Sequence, residues 1–498
     1  MYRHSEKQLE LEGFLMPFSG KLSADNRWVR LAHLIPWHIF ESDYCAKLSK
    51  KGQGPPALSV RMALGALIVK ERLGLSDEEC VEQIRENPYL QYFCGLKEFI
   101  SETPFNPSMY VHFRKRFPAD ILNRVNEAIV HRAIKQSKKD DNDTDKGSSC
   151  KQEPSNKGKL LMDATCAPAD ISFPTDLKLL NVAREKSEEI IDVLHKNQNQ
   201  MRNKPRTYRI RARKCFLAVA KSKRVDGQKL RKALRSQLGF LRRNLKSIEK
   251  LSEVADLRGL GKRRYRDLLV ISEVYRQQQL MYNERSHRVD DRIVSISQPH
   301  VRPIKRGKAA IDTEFGAKLS VSLVDGYAFV DRTSWDNFNE GLYFQAQVVA
   351  YKRRFGAYPE SVHADRIYRT RDNLRYCKKN NIRLSGPRLG RPQIITAENA
   401  LLLKNEAAIA RQDELDRIPI EGKFGQAKRR YGIGRVMTKL ASTSETAIAL
   451  CFLVMNLERW LAAIFLRLFF KEQESSFKAE LGAISRFIGY RPLAFAAL

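Results

Sequence analysis

Three carboxylates sit in settings that could support chemistry. Asp163 lies in Leu160-Leu-Met-Asp163-Ala-Thr-Cys-Ala167, Asp365 in His363-Ala-Asp365-Arg-Ile-Tyr368, and Glu421 in Arg417-Ile-Pro-Ile-Glu421-Gly-Lys-Phe-Gly-Gln-Ala-Lys428. Taken singly, each has an ordinary explanation as a strand end, a helix cap or an exposed helix charge. Brought together, they could not all stay ionised without a cation. Carboxylate oxygens suit Mg²⁺ or Mn²⁺, which keep positions open for water and phosphate oxygens. Two such ions would activate a water or a 3′-hydroxyl and stabilise the leaving oxygen of an in-line displacement at phosphorus.

The surrounding charge points to the same class of substrate. The chain has 498 residues, 89 Lys or Arg against 57 Asp or Glu, and a formal net charge of +32. Such a surplus repels itself unless a polyanion offsets it, so nucleic acid is the expected partner. On a helix, Arg417, Glu421, Gly425 and Lys428 share one face, and Lys428-Arg429-Arg430 extends the positive charge beyond the acid. Between positions 201 and 250 there are eighteen basic residues and only two acids, Asp226 and Glu249. That one-sided run reads as a phosphate-tracking surface.

The elements that must position these residues follow from periodicity. The length predicts two or three domains. Residues 25 to 135 read as helical, with a break at Gly74-Leu-Ser-Asp77 and Ser76 placed to cap a helix over 79 to 87 with Glu79. Helix, turn and helix fit either a DNA-binding helix-turn-helix or an ordinary bundle. Positions 136 to 159 are polar and read as a linker. A buried strand over 160 to 167, long helices over 176 to about 290 and a hairpin around Asp325-Gly326 come next. The turn explains Asp325 better than catalysis does. A helix over 337 to 355, a strand over 360 to 367, a helix over 370 to 379, a strand over 382 to 385 and a Gly/Pro-rich loop over 386 to 392 complete the pattern. With strands 160 to 167 and 360 to 367 adjacent in one sheet, Asp163 and Asp365 can meet at its edge. The order is compatible with an α/β, ribonuclease-H-like mixed sheet covered by helices.

The eight cysteines are scattered, with no metal-ligand spacing, and fit a reducing cytoplasmic setting. The N-terminus lacks the apolar run of a signal peptide. The apolar segment over 446 to 457 is cut by Glu458 and Arg459 short of the roughly 18 apolar residues of a span, so a buried helix and no membrane partner are expected.

The pattern Arg-x₃-Glu-x₆-Lys at Arg417, Glu421 and Lys428 resembles the C-terminal signature of bacterial insertion-sequence DDE transposases of the insertion-sequence five group, related to the insertion-sequence four group. Asp163 in Met-Asp-Ala-Thr, Asp365 in Ala-Asp-Arg-Ile-Tyr, Phe315-Gly-Ala-Lys318 and Ile382 to Pro392 look like the rest of that pattern. The helical segment from Ser59 is similar to the N-terminal domain of the five group. The resemblance implies a helical, DNA-end-binding N-terminal domain over 1 to 135, a linker over 136 to 159, a ribonuclease-H-like catalytic domain over 160 to 440 with a basic helical insertion at about 176 to 300, and a helical C-terminal region over 441 to 498. It implies Asp163, Asp365 and Glu421 as catalytic metal ligands for Mg²⁺ or Mn²⁺, and Arg417 and Lys428, with Arg429 and Arg430, as DNA contacts. It also implies a homodimer on double-stranded transposon ends and target DNA, and a nucleoid-associated location. The fuller signature begins with Tyr three positions before the Arg, where this chain has Glu414. The long spacing from Asp163 to Asp365 reflects the helical block, which would grip DNA or form a dimer interface. Two other readings use the same residues: a domesticated DNA-binding regulator without turnover, and a ribonuclease-H-like nuclease that only hydrolyses.

Overall fold

A computed structural model describes residues 13–16, 20–48, 56–141, 156–198, 203–222, 224, 226–305, 313–387, 389–390, 396 and 399–488. The N-terminal region folds as α1 (Arg27–Leu34), α2 (Glu41–Cys45), α3 (Val60–Leu73), α4 (Asp77–Glu86), α5 (Pro88–Phe93), α6 (Met109–Arg116) and α7 (Ala119–Asp141). After β1 (Lys159–Pro168) come four insertion helices, α8 (Asp176–Lys196), α9 (Arg209–Ala220), α10 (Gly227–Ser252) and α11 (Gly261–Glu284). The chain then forms β2 (Arg302–Lys305), β3 (Thr313–Val324), β4 (Tyr327–Ser334), α12 (Phe344–Phe355), β5 (Ser361–His363), α13 (Arg371–Lys379), β6 (Arg383–Leu384), α14 (Ala400–Arg430) and α15 (Ala441–Ile488).

The strands make one mixed sheet in the order β2-β3-β1-β5-β6, with β4 also on β3. β1 is its centre. It pairs antiparallel with β3 and parallel with β5, in the register Leu161↔His363. This α/β arrangement is compatible with the expected ribonuclease-H-like sheet. The hairpin between β3 and β4 turns through Asp325 and Gly326, both at positive φ (49° and 78°), as the Asp-Gly pair predicts. Gly316, opposite Pro168 on β1, has no room for a side chain: an added Cβ would lie 2.1 Å from the Ala167 carbonyl oxygen.

Several boundaries differ from the sequence reading. The first residues assigned to the linker are helical, because α7 runs to Asp141; positions 142–155 lie outside the described residues. The strand expected over 360 to 367 is only Ser361–His363, since the chain leaves the sheet where Asp365 caps a 3-10 turn over Arg366–Tyr368. The helix expected from 337 opens with a 3-10 turn, Glu340–Tyr343. In the loop expected over 386 to 392, positions 388, 391 and 392 lie outside the described residues.

Ser76 caps α4 as expected, accepting from the Glu79 N–H at 3.0 Å. The Glu79 carboxylate instead accepts from Gln83. α4 carries Asp77, Glu78, Glu79, Glu82 and Glu86 against a single Arg85. A helix so acidic repels phosphates, and Asp77 is tied to Lys70 and Arg114. α3 and α4 pack on one another within the N-terminal helices.

That bundle is not separate from the sheet. One apolar core runs from Trp28, Leu64 and Phe113 through Leu122 to Val321, Phe329 and Leu453. α15 lies at its centre, packing on α7, α3, α6 and β4. By length and composition, Ala441–Phe469 could cross a membrane, yet 67% of its apolar window is buried inside the protein, which marks a core helix. The insertion has its own core, formed by Leu180, Ile191, Leu241, Leu251 and Ile271.

Buried Asn456 on α15 clasps these layers. Its side chain accepts from the Ala328 N–H (2.9 Å) and donates to the Ala328 carbonyl (2.7 Å) and to Asn126 Oδ1 on α7 (2.8 Å). Asn456→Ala removes the side-chain partner of the Ala328 N–H and of Asn126 Oδ1, while the Ala328 carbonyl keeps the Asn126 amide at 3.1 Å, at a cost of about 2–4 kcal/mol. Thermal unfolding should therefore shift downward in that variant, with loss of N-terminal and catalytic-region structure in one transition.

Candidate active site

Asp163 stands in the middle of β1, and Asp365 two residues past the end of β5. The parallel pairing of β1 with β5 ends at Leu161↔His363, and Asp365, just beyond it, lies near enough to Asp163 for the two charges to interact. Asp163 is largely buried, with Oδ1 accepting from the Ala164 N–H at 2.7 Å. Asp365 is exposed and turns its Oδ1 to the Arg366 N–H at 2.7 Å. Burial pushes the Asp163 carboxyl up to about 6, and Glu340 and Asp365 add to the rise, while the Ala164 N–H and Arg417 oppose it. The strand beside Asp163 is irregular: the β3/β4 register shifts between Ser320 and Val321, and Val321 is the β3 partner of Asp163. Bulges of this kind re-aim side chains next to sites.

Glu421 comes from α14, whose buried positions Asp413, Ile420, Phe424 and Ala427 recur at helical spacing and face the sheet. Two ion pairs fix that helix against the strands. Arg383 on β6 makes a two-pronged contact with Asp413 (2.7 and 2.9 Å), and Lys159 at the start of β1 reaches Asp416 at 2.7 Å. Buried His363 lies 3.5 Å from Asp413, and desolvation lowers its pKa. Pro419 lies inside α14 on its exposed side, where the carbonyl left without an N–H partner can meet water.

The Arg417 guanidinium connects two of the three acids, with Nη2 3.1 Å from Glu421 Oε1 and Nη1 4.0 Å from Asp163 Oδ2. The sequence-based alignment of Arg417 with Glu421 on one helix face therefore holds. Lys428, farther along, lies 3.8 Å from Glu314 on β3, and Arg430 lies 3.6 Å from Glu458 on α15; Arg429 is exposed. The four cations make a row along α14 rather than a cluster on the acids. Nothing occupies the space over Gly422, which leaves the helix surface open beside Glu421.

Glu340 and Lys318 are two neighbours that sequence reasoning gave no role. Glu340 Oε1 pairs with Lys318 Nζ at 2.9 Å, and both side chains are largely buried. Lys318 also donates to the Phe338 carbonyl (2.7 Å) and Asn337 Oδ1 (3.3 Å), so it orders the segment that brings a further acid toward Asp163. The signal in the sequence is weak: Lys318 closes Phe315-Gly-Ala-Lys318, but no spacing links it to Glu340.

The donor chemistry of the two aspartates fits an oxygen-preferring divalent cation, whose charge would offset the desolvation that raises the Asp163 pKa. Glu421 is turned to Arg417 instead. Among the described residues, no three His, Cys, Asp or Glu side chains stand together at metal-shell spacing.

The raised Asp163 pKa has a definite sign. Ionised Asp163 destabilises the fold above about pH 6, the effect fades as pH falls, and it vanishes below the ordinary value of 3.8. Asp163→Asn should therefore stabilise the metal-free protein at pH 7.5 by up to about 3 kcal/mol, taking about 1.4 kcal/mol per pKa unit. Melting in EDTA checks this: the variant should unfold at the higher temperature at pH 7.5, and the two proteins should converge near pH 4.

Comparison with known proteins gives two family matches. Residues 362–458, which hold Asp365 and Glu421, match the model described as Transposase DDE domain. Residues 17–116 match Transposase domain (DUF772). Asp163 falls outside both segments. A curated relative, "Uncharacterized protein ORF8 in nfe locus" of Rhizobium meliloti, is 32% identical over 151 residues, which cover 30% of this chain and 66% of that protein. No solved structure matches. The two transposase matches take in the N-terminal helices and two of the three candidate acids, and together they indicate an insertion-sequence transposase.

Proposed function

We propose that this chain is a DNA transposase of the insertion-sequence five group, acting in the cytoplasm on double-stranded DNA. It binds terminal inverted repeats as a homodimer, cleaves the strand to expose a 3′-hydroxyl and joins that end to target DNA. The observation that carries this reading is the pairing of β1 with β5, which brings Asp365, just past the end of β5, beside Asp163 on β1, with Arg417 linking Asp163 to Glu421. Asp163, Asp365 and Glu421 would hold Mg²⁺ or Mn²⁺, which supplies Lewis-acid polarisation of the scissile phosphodiester when bound.

The chain's own residues do the remaining work. Burial of Asp163 keeps competing water away from one side of the site. Arg417 neutralises Asp163 and Glu421 while no nucleic acid is present, and a DNA phosphate competes for the same guanidinium. When phosphate takes Arg417, Glu421 is released toward the aspartates. Lys428, Arg429 and Arg430 continue the positive row along α14, and the open surface at Gly422 admits a DNA backbone.

Labelled transposon-end DNA with Mg²⁺ tests the assignment. Cleavage with joining supports transposition, cleavage alone supports a hydrolytic nuclease, and binding alone supports a regulator. Asp365→Asn should lower cleavage on the order of a thousandfold or more and leave DNA affinity largely intact; normal cleavage by that variant removes Asp365 from the site. Arg417→Gln should bind Mn²⁺ roughly fivefold to tenfold more tightly than the wild type in DNA-free protein, because a cation is removed from between two acids. Electron paramagnetic resonance of free Mn²⁺ measures that change without turnover.

A further inference from the structure

The exposed face of α10 carries a row of cations that the carboxylate site does not use. Leu234, Leu238, Leu241, Leu245 and Ile248 turn inward to the insertion's core. On the outer side, Lys232, Arg235, Arg242, Lys246 and Lys250 recur at intervals of three, four or seven, which keeps them on one stripe. All five are exposed, and among the described residues none has an ion pair. Four other cations of the insertion are matched to acids: Arg184 to Glu188, Lys186 to Asp267, Arg209 to Asp192 and Arg292 to Asp176. Glu249 is the sole acid on α10.

The stripe has the dimensions of a phosphate contact. From Lys232 to Lys250 the helix advances about 27 Å at about 1.5 Å per residue. That length matches about 8 base pairs at about 3.4 Å each. Gly239 lies at its midpoint, and nothing occupies the space where its side chain would be, so a sugar-phosphate backbone could approach closely there. Arg243, beside the row, is held over the rings of Tyr208 (5.1 Å) and Phe240 (4.9 Å), which fixes its guanidinium at the rim.

We propose that this face of α10 is a sequence-independent cradle for duplex DNA, gripping about 8 base pairs of backbone beyond the DNA held at the carboxylates. The choice of DNA among polyanions rests on the transposase reading above. A second copy of the chain is a poor occupant, since each carries a net charge of +32. Lysine and arginine on flexible stems, without Asn or Gln in the row, position a backbone and do not read bases.

The test uses the full chain with Lys232, Arg235, Arg242 and Lys246 all changed to Gln, which keeps helix propensity; circular dichroism checks the fold. Binding is followed by fluorescence anisotropy without divalent metal, on an end duplex and on one shortened from its outer side by 8 base pairs. The wild type should lose affinity on the shorter duplex, while the variant should bind both equally. For the long duplex, the slope of log K against log salt should be smaller in the variant by about 3 to 4, from about 0.9 per phosphate contact. An unchanged slope overturns the proposal. So does a slope change seen on duplex RNA alone, or a loss of dimer with the DNA slope intact. Because no cleavage is involved, a wild type that fails to cut end DNA would overturn the transposase reading and leave the cradle standing.

Discussion

The register of β1 between its two neighbours governs the rest of the site. Strand residues advance about 3.3 Å each and alternate faces, so a slip of one residue would turn Asp163 to the opposite face, and a slip of two would part it from Asp365 by roughly 7 Å. Only three residue pairs join β1 to β5, too few to set that register alone. The entry to the strands is held by Glu360 N–H to the Gly158 carbonyl (3.0 Å), Lys157 N–H to the Tyr358 carbonyl (2.9 Å) and the Tyr351 hydroxyl to the Lys157 carbonyl (2.6 Å). The eight pairs between β1 and β3 hold the other side, with Gly316 allowing close approach where the ladder ends.

Much of this arrangement could be read from residues. The apolar run around Asp163, the Asp-Gly turn and the shared face of Arg417 and Glu421 are local patterns, and each appears in the fold. What could not be read is non-local. The short β5 depends on Asp365 capping the following turn, and the Lys318–Glu340 pair joins a β3 residue to a 3-10 turn beyond β4. The acidity of α4 is legible in Asp77, Glu78, Glu79, Glu82 and Glu86, whereas its packing on α3 is not. The family matches take in Asp365 and Glu421 but not Asp163, so its place in the site rests on strand pairing and on the resemblance of its surroundings.

Electrostatics divides the surplus charge into two kinds. Around the candidate site, cations meet acids: Arg417 with Asp163 and Glu421, Lys428 with Glu314, Arg383 with Asp413. Along the outside of α10 they meet only solvent. A paired cation must exchange one anion for another when DNA arrives, whereas a solvated one has only counterions to release.

The apolar core common to the N-terminal helices, the sheet and α15 gives the chain the character of a single casting. A polypeptide ending before α15 would expose the faces of α3, α6 and α7 that α15 covers, together with the Ala328 N–H and Asn126 Oδ1 that Asn456 satisfies. Premature termination would then yield protein for degradation rather than a shortened, folded competitor of the full-length chain. A transposon built on this fold would have to limit its own activity by other means than truncated copies of itself.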